Sequence, residues 1–311
     1  MRALITGSQG FVGRYLIREM QTHKWDLSAF DLLPPAADVL NYFRGDIQDK
    51  FAVKNAVRQS VPDVCIHLSG MAFVPDSWSN AEKLFSVNVI GTLNLLEAFR
   101  QYAPGAKILV ISSAEVYGEH FPGRFVREQD ALAPANHYAV SKAAADQTAL
   151  LYARQYGMRV MTARPSNHIG PGQSPQFAVA SFAEQLASMA TGGSSRPIKV
   201  GNLENTRNFT DVRDVVKAYR LLIEKGKPGE AYNIASVREV TLRFILETLC
   251  NLAGVRPKVE IDQKRFRPDE PRPILDTTKI TADTGWKPGI DLETTLRDIM
   301  AEVRFRVQDS M

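Results

Sequence analysis

The chain has 311 residues, long enough for one large or two modest domains with a real core. Its hydrophobic content of 44% is ordinary for a globular protein, and no apolar run approaches the roughly 20 residues that span a bilayer. A formal net charge of +4 is too mild and too dispersed for a nucleic-acid binder, though it suits an anionic small ligand.

The chain enters a strand at once, Arg2 to Thr6, with no signal-peptide pattern ahead of it. Two cysteines, Cys65 and Cys250, lie far apart, which fits a reducing cytoplasm. The strand runs into Gly7-Ser8-Gln9-Gly10-Phe11-Val12-Gly13, and Phe11 to Met20 has helical periodicity. Strand, glycine turn and helix are the context of a dinucleotide site. The glycines permit a tight turn, close approach of backbone to a pyrophosphate, and close helix–strand packing. Free N–H groups and the dipole at the helix start then bind the phosphates. Gly7, Gln9, Gly10, Phe11, Val12 and Gly13 are therefore cofactor-binding candidates.

A second strand, Leu27 to Asp31, ends about 20 residues past the turn, where an acid bonds the ribose hydroxyls of NAD. The Asp31 carboxylate would repel the 2′-phosphate of NADP, and Arg44 would relieve that repulsion. NAD(H) is the expected preference, with NADP(H) possible. The rival reading makes Asp31 a solvated turn residue before Pro34-Pro35. Asp46 and Ile47, after a further short strand, are candidates for the adenine. A strand from Val64 ends in Leu68-Ser69-Gly70, which joins the cofactor set. The helix expected over 79–102 carries Asn88 in an apolar stripe, and buried amides need partners. Asn88 is also a cofactor candidate.

The apolar run Ile108 to Ile111 reads as a buried parallel strand. Ser113 follows its carboxyl end, where open α/β sheets hold their ligands. A helix over 136–156 carries Tyr138 and Lys142 one turn apart, on one face. A tyrosine of pKa about 10 is a poor acid at neutral pH, and a neighbouring ammonium is expected to lower it. Ser113, Tyr138 and Lys142 together would protonate a carbonyl oxygen while hydride reaches the carbon. A strand over 159–163 follows. The alternation of strands and helices implies an α/β fold with a Rossmann-type, doubly wound parallel sheet. Residues 1–165 are expected to be the NAD(P)-binding domain and 166–311 a smaller substrate-binding α/β domain. That second unit would hold the helix over 177–190, the strand near Ile198 to Val200, the helix over 212–225, the strand over 231–235 and the helix over 241–253. The five histidines show no metal-ligand spacing, and no metal is expected.

The glycine turn, Ser113-x-x-x-Tyr117-Gly118, Tyr138-x-x-x-Lys142 and Arg164-Pro165-x-Asn167 resemble the extended short-chain dehydrogenase/reductases, across nearly the whole chain. Three narrower stretches are similar to the GDP-4-keto-6-deoxy-D-mannose reductases, which form GDP-D-rhamnose: 167–173, 200–214 and Thr284-Gly285-Trp286-Lys287-Pro288. The resemblance implies Ser113 and Tyr138 as catalytic, with Lys142 lowering the tyrosine pKa and holding the nicotinamide ribose. It implies a nucleotide-diphosphate sugar, a GDP-sugar first, as substrate; the charge and the apolar runs point to no nucleic acid or membrane partner. Substrate-binding candidates are Ser113, Glu115, Tyr138, Asn167, Lys199, Arg207, Arg267 and Glu270. The guanidinium forks of Arg207 and Arg267 suit a diphosphate, and Glu270 a ribose. The bland reading of each arginine is a surface salt bridge.

Glu115 matches the carboxylate that removes the sugar C5 proton in related 4,6-dehydratases. Ala114 stands where those enzymes often carry Asp or Ser. A reductase site with part of a dehydratase-like lining is the reading, and Glu115 as a catalytic or merely structural group is left open. A 4-epimerase or 4,6-dehydratase on the same scaffold, or a non-catalytic dinucleotide sensor, are the alternatives. Departures from the pattern are Asn208 for a common Asp, Ser69-Gly70 for Ala-Ala or Ala-Gly, and His137 for a frequent Pro. The family commonly forms homodimers. The alanines Ala139, Ala143, Ala144, Ala145 and Ala149 are expected to let two helices from each chain approach closely.

Overall fold

The computed structural model describes residues 1–35, 41–72, 80–118, 125–192, 196–236, 238–266 and 272–309. β1 (Arg2–Thr6), α1 (Phe11–Thr22), β2 (Asp26–Asp31), β3 (Asn41–Arg44), α2 (Lys50–Ser60) and β4 (Val64–His67) come first. α3 (Ala81–Phe85), a π-helical turn (Ser86–Ile90) and α4 (Gly91–Tyr102) lead to β5 (Lys107–Ile111) and a 3₁₀ turn (Ala114–Tyr117). β6 (Phe125–Val126), α5 (His137–Tyr156), β7 (Arg159–Pro165), β8 (Asn167–Ile169) and α6 (Ala178–Ala190) follow. Then come β9 (Ile198–Val200), β10 (Thr206–Asp211), α7 (Val212–Lys225), β11 (Ala231–Ile234), β12 (Glu239–Thr241) and α8 (Leu242–Ala253). β13 (Val259–Ile261), β14 (Ile274–Leu275), α9 (Thr278–Thr284) and α10 (Leu292–Asp309) end the chain.

Seven parallel strands form the large sheet in the order β11-β7-β5-β4-β1-β2-β3. The direction of winding reverses between β1 and β4, and ligands of such sheets bind beyond the strand ends at that reversal. Helices cover both faces, so the strands read as continuous apolar runs rather than alternating ones. Leu16 and Met20 of α1 pack with Val215, Tyr219 and Leu222 of α7 on one face. Val57 of α2, Leu95 and Phe99 of α4, and Tyr152 of α5 fill the other. A separate core joins Phe182 and Leu186 of α6, Leu249 of α8 and Ile299 of α10 to Ile198 and Val200 of β9. The smaller sheets are β12-β10-β8, β13-β9 and β14-β6.

Two expectations change. The helix expected over 79–102 is broken by the π turn at Ser86–Ile90, and Ser79 lies outside the described residues. That turn carries Asn88, 2% exposed, whose Oδ1 accepts from Met71 N at 2.8 Å and whose Nδ2 donates to Ser141 Oγ at 2.9 Å. A π turn is a common device where one helical side chain must be re-aimed. The second change concerns the strand over 231–235. Its place in the chain puts it in the smaller unit, but β11 pairs with β7 at the edge of the large sheet. A short buried apolar run announces a strand without giving its sheet address, so the large sheet draws on chain from both sides of residue 165. Both cysteines are free and buried. Among the described residues, no helix is long and apolar enough to cross a membrane.

Candidate active site

The glycine turn lies at the reversal point. Gly7 has φ of +71°, and a Cβ there would sit 2.7 Å from Ser69 N, at the end of β4. A Cβ on Gly13 would meet Gly7 O at 2.4 Å. Those two positions need glycine for the protein's own packing. Gly10 differs: a Cβ there would meet only Gly7 O, at 3.3 Å. Gly10 is also the N-cap of α1 and makes no side-chain cap, so the first-turn amides, including those of Phe11 and Val12, face a bare cradle. This cradle fits a pyrophosphate. The Phe11 ring packs edge-on to Tyr15, with centroids 5.6 Å apart, and stacks on His168.

Asp31 ends β2 beside that cradle. Its Oδ2 accepts from Gln9 N at 2.8 Å and its Oδ1 from Leu33 N at 3.0 Å. The carboxylate thus fixes the glycine turn, and each oxygen keeps a lone pair for a ribose hydroxyl. Arg44 is its register partner on β3. Asp46 folds onto its own turn, accepting from Gln48 N at 2.9 Å. Ile47 is buried and its carbonyl accepts from Asn94 Nδ2 at 3.1 Å.

Ser113 stands two residues past β5 and caps the 3₁₀ turn, its Oγ accepting from Glu115 N at 3.2 Å. Tyr138 is in the first turn of α5, which Asn136 caps by accepting from Ala139 N at 2.8 Å. Tyr138 and Lys142 are only 8% and 9% exposed. Burial pushes the Tyr138 phenol up to about 12, against a hydrogen bond with Ser113 that lowers it; the Glu115 charge adds to the rise. Burial lowers Lys142 to about 8, and its Nζ donates to Ile111 O at 2.8 Å. The expected lowering of the phenol is not what the protein's own balance gives: desolvation raises it, and only the Ser113 hydrogen bond opposes that. A Cβ on Gly70 would lie 3.0 Å from Asn88 Oδ1 and 3.3 Å from Lys142 Nζ, so these three candidates meet. His67, beneath them, is held between Thr6 Oγ1 at 2.7 Å and Thr92 Oγ1 at 3.1 Å. Burial first, and then the Lys142 charge, lower it to about 3, so it stays neutral.

Glu115 forms an ion pair with Arg272 Nη1, and both side chains are about four-fifths buried, at 18% and 19% exposure. Asn167 is exposed at the start of β8, Lys199 is exposed on β9, and Arg207 on β10 donates to Thr206 O at 2.6 Å. Those three stand on separate strands, whereas the cofactor candidates and the trio converge on the sheet's carboxyl edge. Arg267 and Glu270 lie outside the described residues. Asn208 binds the loop that follows β11, its Nδ2 donating to Ser236 O at 2.6 Å and Arg238 O at 3.2 Å. An aspartate could not make those donations.

Residues 4–299 match the model of the GDP-mannose 4,6 dehydratase family. The chain belongs to this family. It is an extended short-chain dehydrogenase/reductase, an NAD(P)-dependent sugar-nucleotide-modifying enzyme. It is 35% identical to GDP-6-deoxy-D-mannose reductase of Pseudomonas aeruginosa, over 99% of each chain. The solved structure of RMD from that organism, complexed with NADPH, superposes with a TM-score of 0.87 at 33% identity, covering 98% of this chain and 100% of that one. UDP-glucose 4-epimerase of Thermus thermophilus, complexed with NAD, gives 0.88 at 29% identity, covering 98% and 99%.

Within this family member, two sets of side chains escaped the sequence reading. Arg272 carries no motif of its own, and only the fold brings it to Glu115. Arg164 shows in the sequence only as half of an Arg-Pro step. In the structure its Nε and Nη2 grip both oxygens of Asp146, and its Nη1 donates to Tyr117 Oη at 2.8 Å. The signal was Asp146 itself, a carboxylate one turn after Lys142 in an otherwise alanine-rich buried face.

Proposed function

We propose that this chain is a 4-ketoreductase. Its substrate would be a nucleotide-diphosphate 4-keto-6-deoxyhexose, GDP-4-keto-6-deoxy-D-mannose first, and its product GDP-D-rhamnose. The observation that carries the reading is the 35% identity, over 99% of each chain, with a GDP-6-deoxy-D-mannose reductase. Reducing a ketone requires the enzyme to give a proton, and the Tyr138 phenol beside Ser113 can supply one. Ala114 and the arginine-bound Glu115 support the same direction, since neither offers a ready acid or base for water elimination.

In this reading Ser113 donates a hydrogen bond to the C4 carbonyl oxygen, and Tyr138 gives that oxygen its proton. Lys142 stabilises the phenolate left behind and holds the nicotinamide ribose. The dinucleotide, when bound, supplies the hydride. Gly7, Gly10, Gly13 and the first turn of α1 would hold its pyrophosphate, Asp31 its adenosine ribose, and Asp46 and Ile47 its adenine. The strand end 68–70 and Asn88 would line the nicotinamide side. NADH is the preferred form. Asn167, Lys199, Arg207, Arg267 and Glu270 are proposed for the sugar nucleotide. The division of labour is between the sheet of 1–165, completed by 212–234, and the remainder of 166–311. The active unit is a cytoplasmic homodimer.

The test is to mix the protein with GDP-4-keto-6-deoxy-D-mannose and either reduced nicotinamide, and to follow loss of nicotinamide absorbance. Oxidation with formation of GDP-D-rhamnose is expected; none with either cofactor overturns the reading. The likeness to the Thermus epimerase supports one rival. An epimerase retains its cofactor through turnover, so purified protein carrying stoichiometric NAD would favour it.

A further inference from the structure

A 4-keto sugar carries acidic C–H bonds on the carbons next to its ketone. A carboxylate beside such a substrate can take one of those protons, leaving an enolate whose charge rests on the C4 oxygen. The same groups that polarise the ketone for reduction, Ser113 and Tyr138, would favour that loss. Glu115 is two residues from Ser113, and its charge is felt at the Tyr138 phenol. The site therefore holds a potential base that a ketoreductase must silence.

Arg272 meets this requirement. It comes from the chain just before β14, and its Nη1 engages Oε2 of Glu115 where both side chains are largely withdrawn from solvent. A guanidinium fixes a carboxylate directionally, and the pair is least screened when buried. On the ketoreductase reading above, we infer that Arg272 is a reaction-specificity residue: it holds Glu115 as an ion-pair partner and so prevents enolisation of the bound keto sugar. Arg272 is a positioning residue in this role, acting through Glu115. In its absence the C–H bond breaks with its proton passing to Glu115. The electron pair moves to the C4 oxygen, and return of a solvent proton restores the ketone without any oxidant or reductant.

The experiment incubates GDP-4-keto-6-deoxy-D-mannose in D₂O with the full-length protein and follows deuterium entry at C3 and C5 by NMR. Reduced nicotinamide is omitted there and added in a parallel turnover assay. The unaltered protein should exchange no faster than the enzyme-free substrate. Arg272→Met should raise exchange by on the order of 10²-fold, the scale of a positioned general base. Arg272→Gln is read in the same way if the Met variant does not fold, and Arg272→Lys should restore most of the silence. Adding Glu115→Gln to the active variant should abolish the exchange. Exchange at the enzyme-free rate in folded Met and Gln variants overturns the inference, as does exchange that survives loss of Glu115. If the unaltered protein fails to oxidise nicotinamide with this substrate, the ketoreductase reading falls first, and that failure is seen in the separate assay.

Discussion

Arg164 and Asp146 form a two-pronged ion pair inside the protein, Nε to Oδ2 at 3.0 Å and Nη2 to Oδ1 at 2.9 Å, with side chains 3% and 0% exposed. Arg164 is the penultimate residue of β7, and Asp146 lies one turn after Lys142 on α5. The same guanidinium donates to Tyr117 Oη, whose 3₁₀ turn is capped by Ser113. One arginine thus ties the helix of Tyr138 and Lys142 to the turn of Ser113 and Glu115. Removing one partner leaves the other charge buried, so Arg164→Met should cost about 3–5 kcal/mol. Urea unfolding measures this; a loss below 1 kcal/mol would mean the pair is not held as described.

Tyr138→Phe removes one oxygen and leaves the ring packing. Turnover should fall by 10²–10⁴-fold, the usual contribution of a general acid, while cofactor affinity stays within a few-fold. Single-turnover kinetics with cofactor titration separate the two effects. Undiminished turnover would rule out the phenol as proton donor.

The parts of this site that sequence reveals are those written in local pattern. β1, the glycine turn and α1 were legible because strand, turn and helix are contiguous. Ser113, Tyr138 and Lys142 were legible because a strand end and a four-residue helical step fix where their side chains go. The direction of the Tyr138 shift was not, because it depends on burial, a three-dimensional quantity. The Glu115–Arg272 and Asp146–Arg164 pairs join residues far apart in sequence, and no periodicity announces such partners. The address of β11 was hidden for the same reason.

The alanines expected to form the dimer contact are largely used within the chain. Ala139, Ala145 and Ala149 are 0–3% exposed and Ala143 is 9% exposed. The outward stripe of α5 is instead Val140, Ala144 and Leu151, with Val140 and Leu151 at 37% and 50% exposure. This face is the proposed dimer surface, since helices of two copies would bury it together. Val140→Glu with Leu151→Glu should convert a dimer to a monomer in light scattering at micromolar concentration. A monomeric unaltered protein would sink the dimer itself.

Lys142 carries a stability cost that follows from its burial. Its pKa falls from 10.5 to about 8 on folding, so the unfolded chain binds more protons between those values. Stability therefore rises with pH across that window, and below about pH 8 the charged lysine imposes its full cost. That cost is on the order of a few kcal/mol, partly offset by the bond to Ile111 O. Lys142→Met should be inactive yet melt higher at pH 7. The gap should be flat below pH 8 and close as pH rises toward 10.5. Parallel thermal unfolding of the two proteins checks this, and a gap that widens with pH would show that the lysine is not buried as a charge.

Cofactor choice is proposed to turn on Asp31 and Arg44, neighbours across β2 and β3. Both Asp31 oxygens already accept backbone amides, from Gln9 and Leu33, which holds the carboxylate at the rim of the phosphate cradle. Ribose hydroxyls would donate to its remaining lone pairs, and charge-assisted bonds of this kind exceed neutral ones. A 2′-phosphate would instead meet a like charge a few ångströms away. At the effective dielectric of a protein surface that repulsion is on the order of a few kcal/mol before screening. Arg44, exposed and donating from Nε to Leu32 O at 3.3 Å, is the cation that the sheet register places opposite Asp31 and so the group expected to offset it. The expected result is a higher kcat/KM with NADH than with NADPH, and Asp31→Ser should narrow or reverse the preference. Because Asp31 also anchors Gln9 N, the same change should raise KM for both cofactors. The Pseudomonas structure holds NADPH, so the comparison is a demanding one. Should the unaltered protein use NADPH far more efficiently, Arg44 rather than Asp31 reads the 2′ position, and Arg44→Ala would then remove the NADPH advantage.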